Sequence, residues 1–278
     1  MSSPSDAMTG THPAQESMRE QPMRFRGGGF APRSKPWTSW VAFAVILVVW
    51  QTASSAGLVS QLALPSPVSI AEALWELIVS GDLWRHLQAS VWRILYGWGL
   101  GTAAGLTVGF SMGISSVARS VGIPVVSALF PIPKIALLPL FILWFGIGEP
   151  SKVATIALGV FFPTVINTYS GVDNVPKNLI RMGQSFNVPP RDIIIKIILP
   201  GALPGILAGF RISSSIALIL LVAAEMIGAE FGIGALVLQA GNLMQTDRLM
   251  AGVVMLSVLG VLIGVLLTRL ERWWLRWR

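Results

Sequence analysis

The sequence has no cysteine, only two histidines (His12 and His86), and only 12% charged residues, 20 Lys+Arg and 13 Asp+Glu, in 278 positions. Without cysteine there is no disulfide, no thiolate zinc site and no cysteine nucleophile. With two histidines a multi-histidine metal or haem site is not expected, so no metal ligands are assigned. A soluble domain usually carries about 25% charged residues. Half that share cannot cover the surface of a 29.9 kDa chain. There is also no G-x-x-x-x-G-K-[ST] loop to cradle nucleotide phosphates, so the chain itself is not expected to hydrolyse ATP.

What is abundant is apolar surface and glycine: 53% hydrophobic residues and 28 Gly. Six stretches approach the roughly 20 apolar residues that span a bilayer. They are Trp37–Ser54, Ser90–Gly113, Ile123–Phe145, Val153–Tyr169, Ala202–Ile227 and Leu249–Leu270. The expected fold is an all-α polytopic membrane protein with six transmembrane helices. Residues 1–36, rich in Ser, Pro, Gly and Arg, read as a disordered cytoplasmic tail. Residues 37–272 read as the membrane domain and 273–278 as a basic tail.

The basic residues orient it. Arg19, Arg24, Arg26, Arg33 and Lys35, then Arg119, then Lys177, Arg181, Arg191 and Lys196, then Arg269, Arg272, Arg276 and Arg278 all fall on one side. Arg85, Lys152 and Arg248 fall on the other. Basic loops stay inside, so both termini and the 171–200 loop are expected in the cytoplasm. The net charge of +7 then reflects loop placement and not nucleic acid, which is not expected as a partner. Membrane lipid is.

Glycine recurs at every fourth position: Gly97, Gly101, Gly105, Gly109 and Gly113, then Gly201, Gly205 and Gly209, then Gly260 and Gly264. Lipid gives no hydrophobic drive for helices to associate, so small residues at i and i+4 mark faces of close van der Waals packing. Pro131, Pro133 and Pro139 are expected to kink or break the third span. Val68–Trp84 has a helical apolar period and reads either as an amphipathic helix on the outer face or as a loop packed on the bundle.

Ionisable groups inside spans are costly and become functional candidates. Arg93, Lys134, Asn167, Arg211 and Glu225 are the candidates for a translocation path. Arg211 and Glu225 are 14 residues apart, about 21 Å along a helix at about 1.5 Å per residue. That separation is close to four turns, so both are expected to face the bundle interior.

In the large loop, Asn174 is expected to cap a helix starting at Val175-Pro176. Leu179, Met182 and Phe186 give it one apolar face. Asn187 stands where a left-handed terminating residue is needed, before Pro189-Pro190. A second helix is expected from Arg191-Asp192 to Leu199-Pro200. An apolar stripe on such a loop, flanked by Lys177 and Arg181, suggests a protein partner.

This loop resembles the cytoplasmic coupling loop of ABC importer permeases, E-A-A-x3-G-x9-I-x-L-P. Ile197, Leu199 and Pro200 fall on its final I-x-L-P. Arg181 stands at the Glu position, Met182 and Gly183 at the Ala positions, and Asn187 at the Gly position. Arg for Glu reverses a charge, so a pairing made by that Glu does not carry over. Leu64–Pro67, His86–Ser90 with Arg93, Pro131–Lys134, Trp144–Glu149, Gly159–Pro163 with Asn167–Tyr169, Ala224–Gly228 and Thr246–Arg248 resemble the nitrate, aliphatic sulfonate and taurine branch. The resemblance covers about residues 40–272.

The resemblance implies a type I ABC importer permease fold in a bacterial inner membrane, crossing it several times. It implies two cytoplasmic ATPase subunits that hold ATP and magnesium, a second permease copy as a homodimer, and an external solute-binding protein. No cofactor is expected on this chain. The expected cargo is a small anion such as an aliphatic sulfonate, taurine or nitrate, with pyrimidine precursors as an alternative. A secondary transporter driven by an ion gradient would need buried acids for coupling, and Glu225 is the sole acid well inside the spans. Leu179, Arg181, Met182, Gly183, Phe186, Asn187, Ile197, Leu199 and Pro200 are the implied ATPase-coupling residues.

Overall fold

A computed structural model describes residues 36–276; the 1–35 stretch of the proposed tail, and residues 277 and 278, lie outside the described residues. The chain divides into two units, residues 1–46 and 47–278. Of the first unit, the described part is the opening half of helix α1 (Pro36–Ser55), whose apolar side chains from Trp37 to Ile46 are largely exposed.

The second unit is all helical among its described residues. After α1 come α2 (Pro67–Ser80), α3 (Asp82–Ile114), α4 (Ser116–Leu129), α5 (Leu138–Phe145), α6 (Glu149–Asp173), α7 (Lys177–Ser185), α8 (Pro190–Ile193), α9 (Leu199–Met226), α10 (Ile233–Asn242) and α11 (Thr246–Trp274). Among the described residues, four helical rods are long and apolar enough to cross a membrane: α1, α6, the α8–α9 rod and α11. The α4–α5 pair makes a fifth if counted as one bent span. At 33 residues α3 is long enough, but its glycines and charges dilute its apolar character.

Helix α6 is the central post. The α3 glycines meet it in order: Gly97 at Ile156, Gly101 at Ala157 and Val160, Gly105 at Thr164, Gly109 at Thr168, Gly113 at Val172. The two helices therefore run parallel. A Cβ on Gly101 would press into the Ala157 carbonyl oxygen, closer than any side chain tolerates. On the other side α9 runs antiparallel to α6, with Gly205 against Gly171 and Gly209 against Asn167. Gly201 packs on Val175. Gly260 touches only the end of Leu218 at 3.3 Å, and Gly264 has nothing within 4 Å. The expected close packing at Gly264 is thus corrected: the glycine is half-buried, but no described residue approaches the space a Cβ would take.

Several boundaries differ from the sequence expectation, each for a local reason. Helix α2 is one helix packed on the bundle, with Ile70, Ala73 and Leu77 buried against α10 and α11 residues. Ser66 caps its start and Gly81, in the left-handed region at φ 83°, ends it, so Trp84 belongs to α3 and not to α2. The third span is not merely kinked. It breaks by 87° between α4 and the segment beginning at Lys134, where Pro131 and Pro133 remove backbone donors. Pro139 sits in the first turn of α5, where proline is tolerated. Helix α10 was not expected at all.

The loop helix α7 starts at Lys177, not Val175. Asn174 is helical at φ −78° and ends α6, its side chain donating to Ser170 Oγ, while Val175 is buried in the core. Nor does the next helix stop at Leu199-Pro200. It runs through Pro200 by widening into a π turn at Ile194–Ile198, where the Leu199 N–H reaches back to the Ile194 carbonyl. The wider turn accommodates a proline that lacks an N–H for the regular ladder.

Gly205→Ala and Gly264→Ala should separate cleanly. The first places a methyl 2.7 Å from the Gly171 Cα, backbone against backbone, and should cost about 1–3 kcal/mol. The second meets open space and should be neutral or slightly stabilising. Thermal unfolding of the solubilised transporter checks both.

Candidate functional site

The register set by the glycine ladder brings charged groups together one turn beyond its first rung. Gly97 faces Ile156; four residues earlier on each helix stand Arg93 and Lys152, with Glu149 at the start of α6. His86, Ser90 and Arg93 share one face of α3 at i, i+4 and i+7.

Arg93 is 4% exposed and each of its three side-chain nitrogens donates a hydrogen bond. Nε donates to Glu149 Oε2 and Nη2 to Glu149 Oε1, both at 2.6 Å, a bidentate fork. Nη1 donates to Glu225 Oε1 at 2.7 Å and to the Phe231 carbonyl at 2.6 Å. Glu225, near the end of α9, also accepts from Ser90 Oγ at 2.7 Å and from the Gly234 N–H at 2.8 Å. Ser90 in turn accepts from the Ile233 N–H, and His86 Nδ1 lies 2.7 Å from the Gly232 carbonyl. The cluster therefore joins α3, α6 and α9 and pins the 227–232 turn that leads into α10. The Arg93, Glu149 and Glu225 charges are paired, so burying Arg93 with Glu225 costs less than leaving either of them alone.

The other path candidates lie elsewhere. Lys134 fills the break in the third span: its Nζ donates to the carbonyls of Leu129, Phe130 and Ile132 and stands 4.5 Å from the Phe162 ring centre. It caps the broken end of α4. Asn167 donates to the Pro163 carbonyl at 2.8 Å and packs on Gly209. Arg211 does not face the interior. It is 55% exposed and pairs with Glu271 of α11. The near-equal angular position of Arg211 and Glu225 did not give equal burial: Glu225 is met by Ser90 and Arg93 of α3 and by the Gly234 N–H of α10, whereas Arg211 reaches along the outside of α9 to Glu271. Of the five candidates, the structure brings together only Arg93 and Glu225. Sequence reasoning missed Glu149, Lys152, Ser90 and His86 as their partners.

The coupling-loop residues are arranged as the motif suggests. Leu179, Met182 and Phe186 are 40%, 53% and 76% exposed on one face of α7, with Arg181 also exposed. Gly183 is buried, and a Cβ there would meet Ile197 and Ile193 at 3.3–3.4 Å, so this side needs a small residue. Asn187 takes φ 53°, as expected. The Val188 N–H bonds the Gly183 carbonyl and the Asn187 N–H the Gln184 carbonyl, the paired bonds of a Schellman cap. Ile197 is half-buried against the same core as Ile198, whereas Leu199 is exposed. Pro200 follows the π turn.

Residues 101–276 match the family described as binding-protein-dependent transport system inner membrane component. The chain belongs to that family. It is 39% identical over 263 residues to the putative aliphatic sulfonates transport permease protein SsuC of Bacillus subtilis, covering 95% of this chain and 93% of that one. It is 37% identical to the taurine transport system permease protein TauC of Escherichia coli, covering 82% and 85%. The fold is similar to that of a chain in the inward-facing MetNI methionine ABC transporter, at a TM-score of 0.60 and 23% identity, covering 69% and 95%. The chain is an inner-membrane, multi-pass permease subunit of an ABC importer, a transport component and not an enzyme.

Arg93→Ala leaves Glu225 buried without its counter-charge and should destabilise the permease by about 3–5 kcal/mol. Arg93→Met combined with Glu225→Leu removes both charges and should recover most of that loss. Thermal unfolding of the two variants checks the sign.

Proposed function

We propose that the permease imports a small aliphatic sulfonate, taurine among them, handed over by an external solute-binding protein. The relatives named for aliphatic sulfonates and for taurine, at 39% and 37% identity over most of the chain, support this cargo. Two permease copies form the path, and two cytoplasmic ATPase subunits holding ATP and magnesium drive it. The membrane is crossed six times, α3 being the crossing that composition alone does not single out. A helix of 33 residues is about 50 Å long and parallels α6 along the whole glycine ladder.

The orientation follows the basic loops. The end bearing α7, together with the Arg119–Asp173 pair at 3.2 Å and the Lys177–Asp173 pair at 3.4 Å, faces the cytoplasm. The Arg93–Glu225 cluster faces outward.

The observation that carries the coupling role is the exposed stripe of Leu179, Met182 and Phe186 on a short helix tightly capped at Asn187. Large apolar side chains held out from a rigid cap suit a cleft on a partner protein. The helix rests on Ile193 and Ile197 through Gly183, so a push on α7 moves the start of α9.

The test is uptake and ATPase activity in proteoliposomes containing permease, ATPase and binding protein. Wild-type protein should take up taurine or another short alkanesulfonate with ATP, and loaded binding protein should stimulate ATPase activity. Phe186→Asp or Met182→Asp should lower that stimulation at least about tenfold with unchanged thermal unfolding. Sulfonate-stimulated turnover at the wild-type rate in both variants would contradict the coupling assignment. Uptake without ATP would contradict the importer mechanism.

A further inference from the structure

The two cations at the outer cluster are fixed, while one of the anions that faces them is not. Arg93 and Lys152 are each 4% exposed, whereas the Glu149 side chain is 61% exposed. Nη1 of Arg93 is committed to Glu225 and the Phe231 carbonyl, which anchors the guanidinium from behind. Its Nε–Nη2 edge is occupied only by the Glu149 carboxylate.

Lys152 is poorly served by comparison. Its Nζ donates to the Gly148 carbonyl at 3.2 Å and stands 3.9 Å from Glu149 Oε1, beyond hydrogen-bonding distance. No other hydrogen bond or ion pair of its ammonium is formed among the described residues. A buried ammonium with one carbonyl and no anion in bonding range is costly unless an acceptor can approach it. The arrangement is a bidentate fork with a third donor beside it, closed by a carboxylate that the rest of the chain leaves largely uncovered.

A carboxylate fills the fork with two oxygens in a plane. A sulfonate offers two oxygens at a similar spacing and a third for the Lys152 ammonium, whose Nζ stands 3.9 Å from Glu149 Oε1. Moving Glu149 into solvent leaves Arg93 and Lys152 against Glu225 alone, one positive charge in excess. One sulfonate neutralises it.

We propose that Glu149 occupies a seat for a tetrahedral oxyanion formed by Arg93 Nε, Arg93 Nη2 and Lys152 Nζ, and that the incoming sulfonate displaces it there. The oxyanion chemistry follows from the geometry. The sulfonate as its occupant, and the outward placement, rest on the function proposed above. Glu149 then acts as an internal competitor that keeps the seat closed between transport cycles. Arg93 and Lys152 act as substrate-positioning residues at the outer mouth.

The test uses the assembled permease–ATPase complex in nanodiscs, without binding protein, titrated with inorganic sulfate and with ethanesulfonate. Glu149→Gln, which removes the competing charge, should tighten binding of both at least about tenfold. Adding Lys152→Gln to that variant should abolish the gain. Glu149→Ala should behave like Glu149→Gln, and unfolding temperature monitors the fold of each. No gain in folded Glu149 variants, or a gain that survives Lys152→Gln, overturns the seat. If neither Glu149 variant folds, Lys152→Gln alone decides: it should raise the KM of uptake at least threefold at unchanged unfolding temperature, and an unchanged KM overturns the seat. A gain for sulfate but not for ethanesulfonate overturns the sulfonate as occupant. Failure of the wild-type assembly to import any sulfonate overturns the proposed cargo, a result separate from the binding measurement.

Discussion

Close backbone contact between α3 and α6 governs the rest of this structure. In lipid, apolar side chains gain nothing by leaving the solvent for one another, so helix pairing must come from contact at short range. Five glycines on α3 remove every side chain that would hold the two helices apart, from Gly97 at Ile156 to Gly113 at Val172. Such a contact also fixes register, because each missing side chain accepts one particular piece of α6. That register sets Arg93 opposite Glu149 and Lys152. Sliding α3 by one residue would turn Arg93 away from its partners and strand Glu225.

The same post connects the two ends of the molecule. At one end α6 begins with Glu149 and holds the ionic cluster; at the other it runs to Asp173 and delivers the chain to α7. Helix α9 is clamped to α6 through Gly171 and Gly205 near the α7 end, and carries Glu225 at the far end. A displacement of α7 by a partner therefore has a rigid route along α6 and α9 to the cluster. The cap at Asn187 and the π turn before Pro200 are the irregular points on this route, and both lie beside the coupling loop.

Much of this was legible in the sequence. The spacing of Gly97 to Gly113 announced the close face, and Asn187 before Pro189-Pro190 announced the left-handed cap. The stripe of Leu179, Met182 and Phe186 announced the exposed side of α7. Other features were not legible because they depend on neighbours. Gly260 and Gly264 have the same spacing as the ladder yet meet little or nothing, since spacing cannot say whether a partner helix is present. Arg211 and Glu225 share an angular position but not an environment. Glu149 and Lys152 read as loop charges because only the register of α3 on α6 brings Arg93 to them. The spacing of His86, Ser90 and Arg93 on one face of α3 was the signal that could have found the cluster, together with an acid in the first turn of the following helix. Helix α10 went unseen because its ten residues are too short to stand out among long apolar runs.

The most direct test of the central claim compares two alanines on the same helix. A Cβ added at Gly99 would meet nothing within 4 Å, whereas one at Gly101 would press into the Ala157 carbonyl oxygen. Alanine favours a helix over glycine by about 1 kcal/mol, so Gly99→Ala should raise the unfolding temperature of the solubilised transporter or leave it unchanged. Gly101→Ala should lower it, by about 1–3 kcal/mol of overpacking, and should reduce uptake as the register shifts. Equal effects of the two substitutions, or stabilisation by Gly101→Ala, would contradict the account.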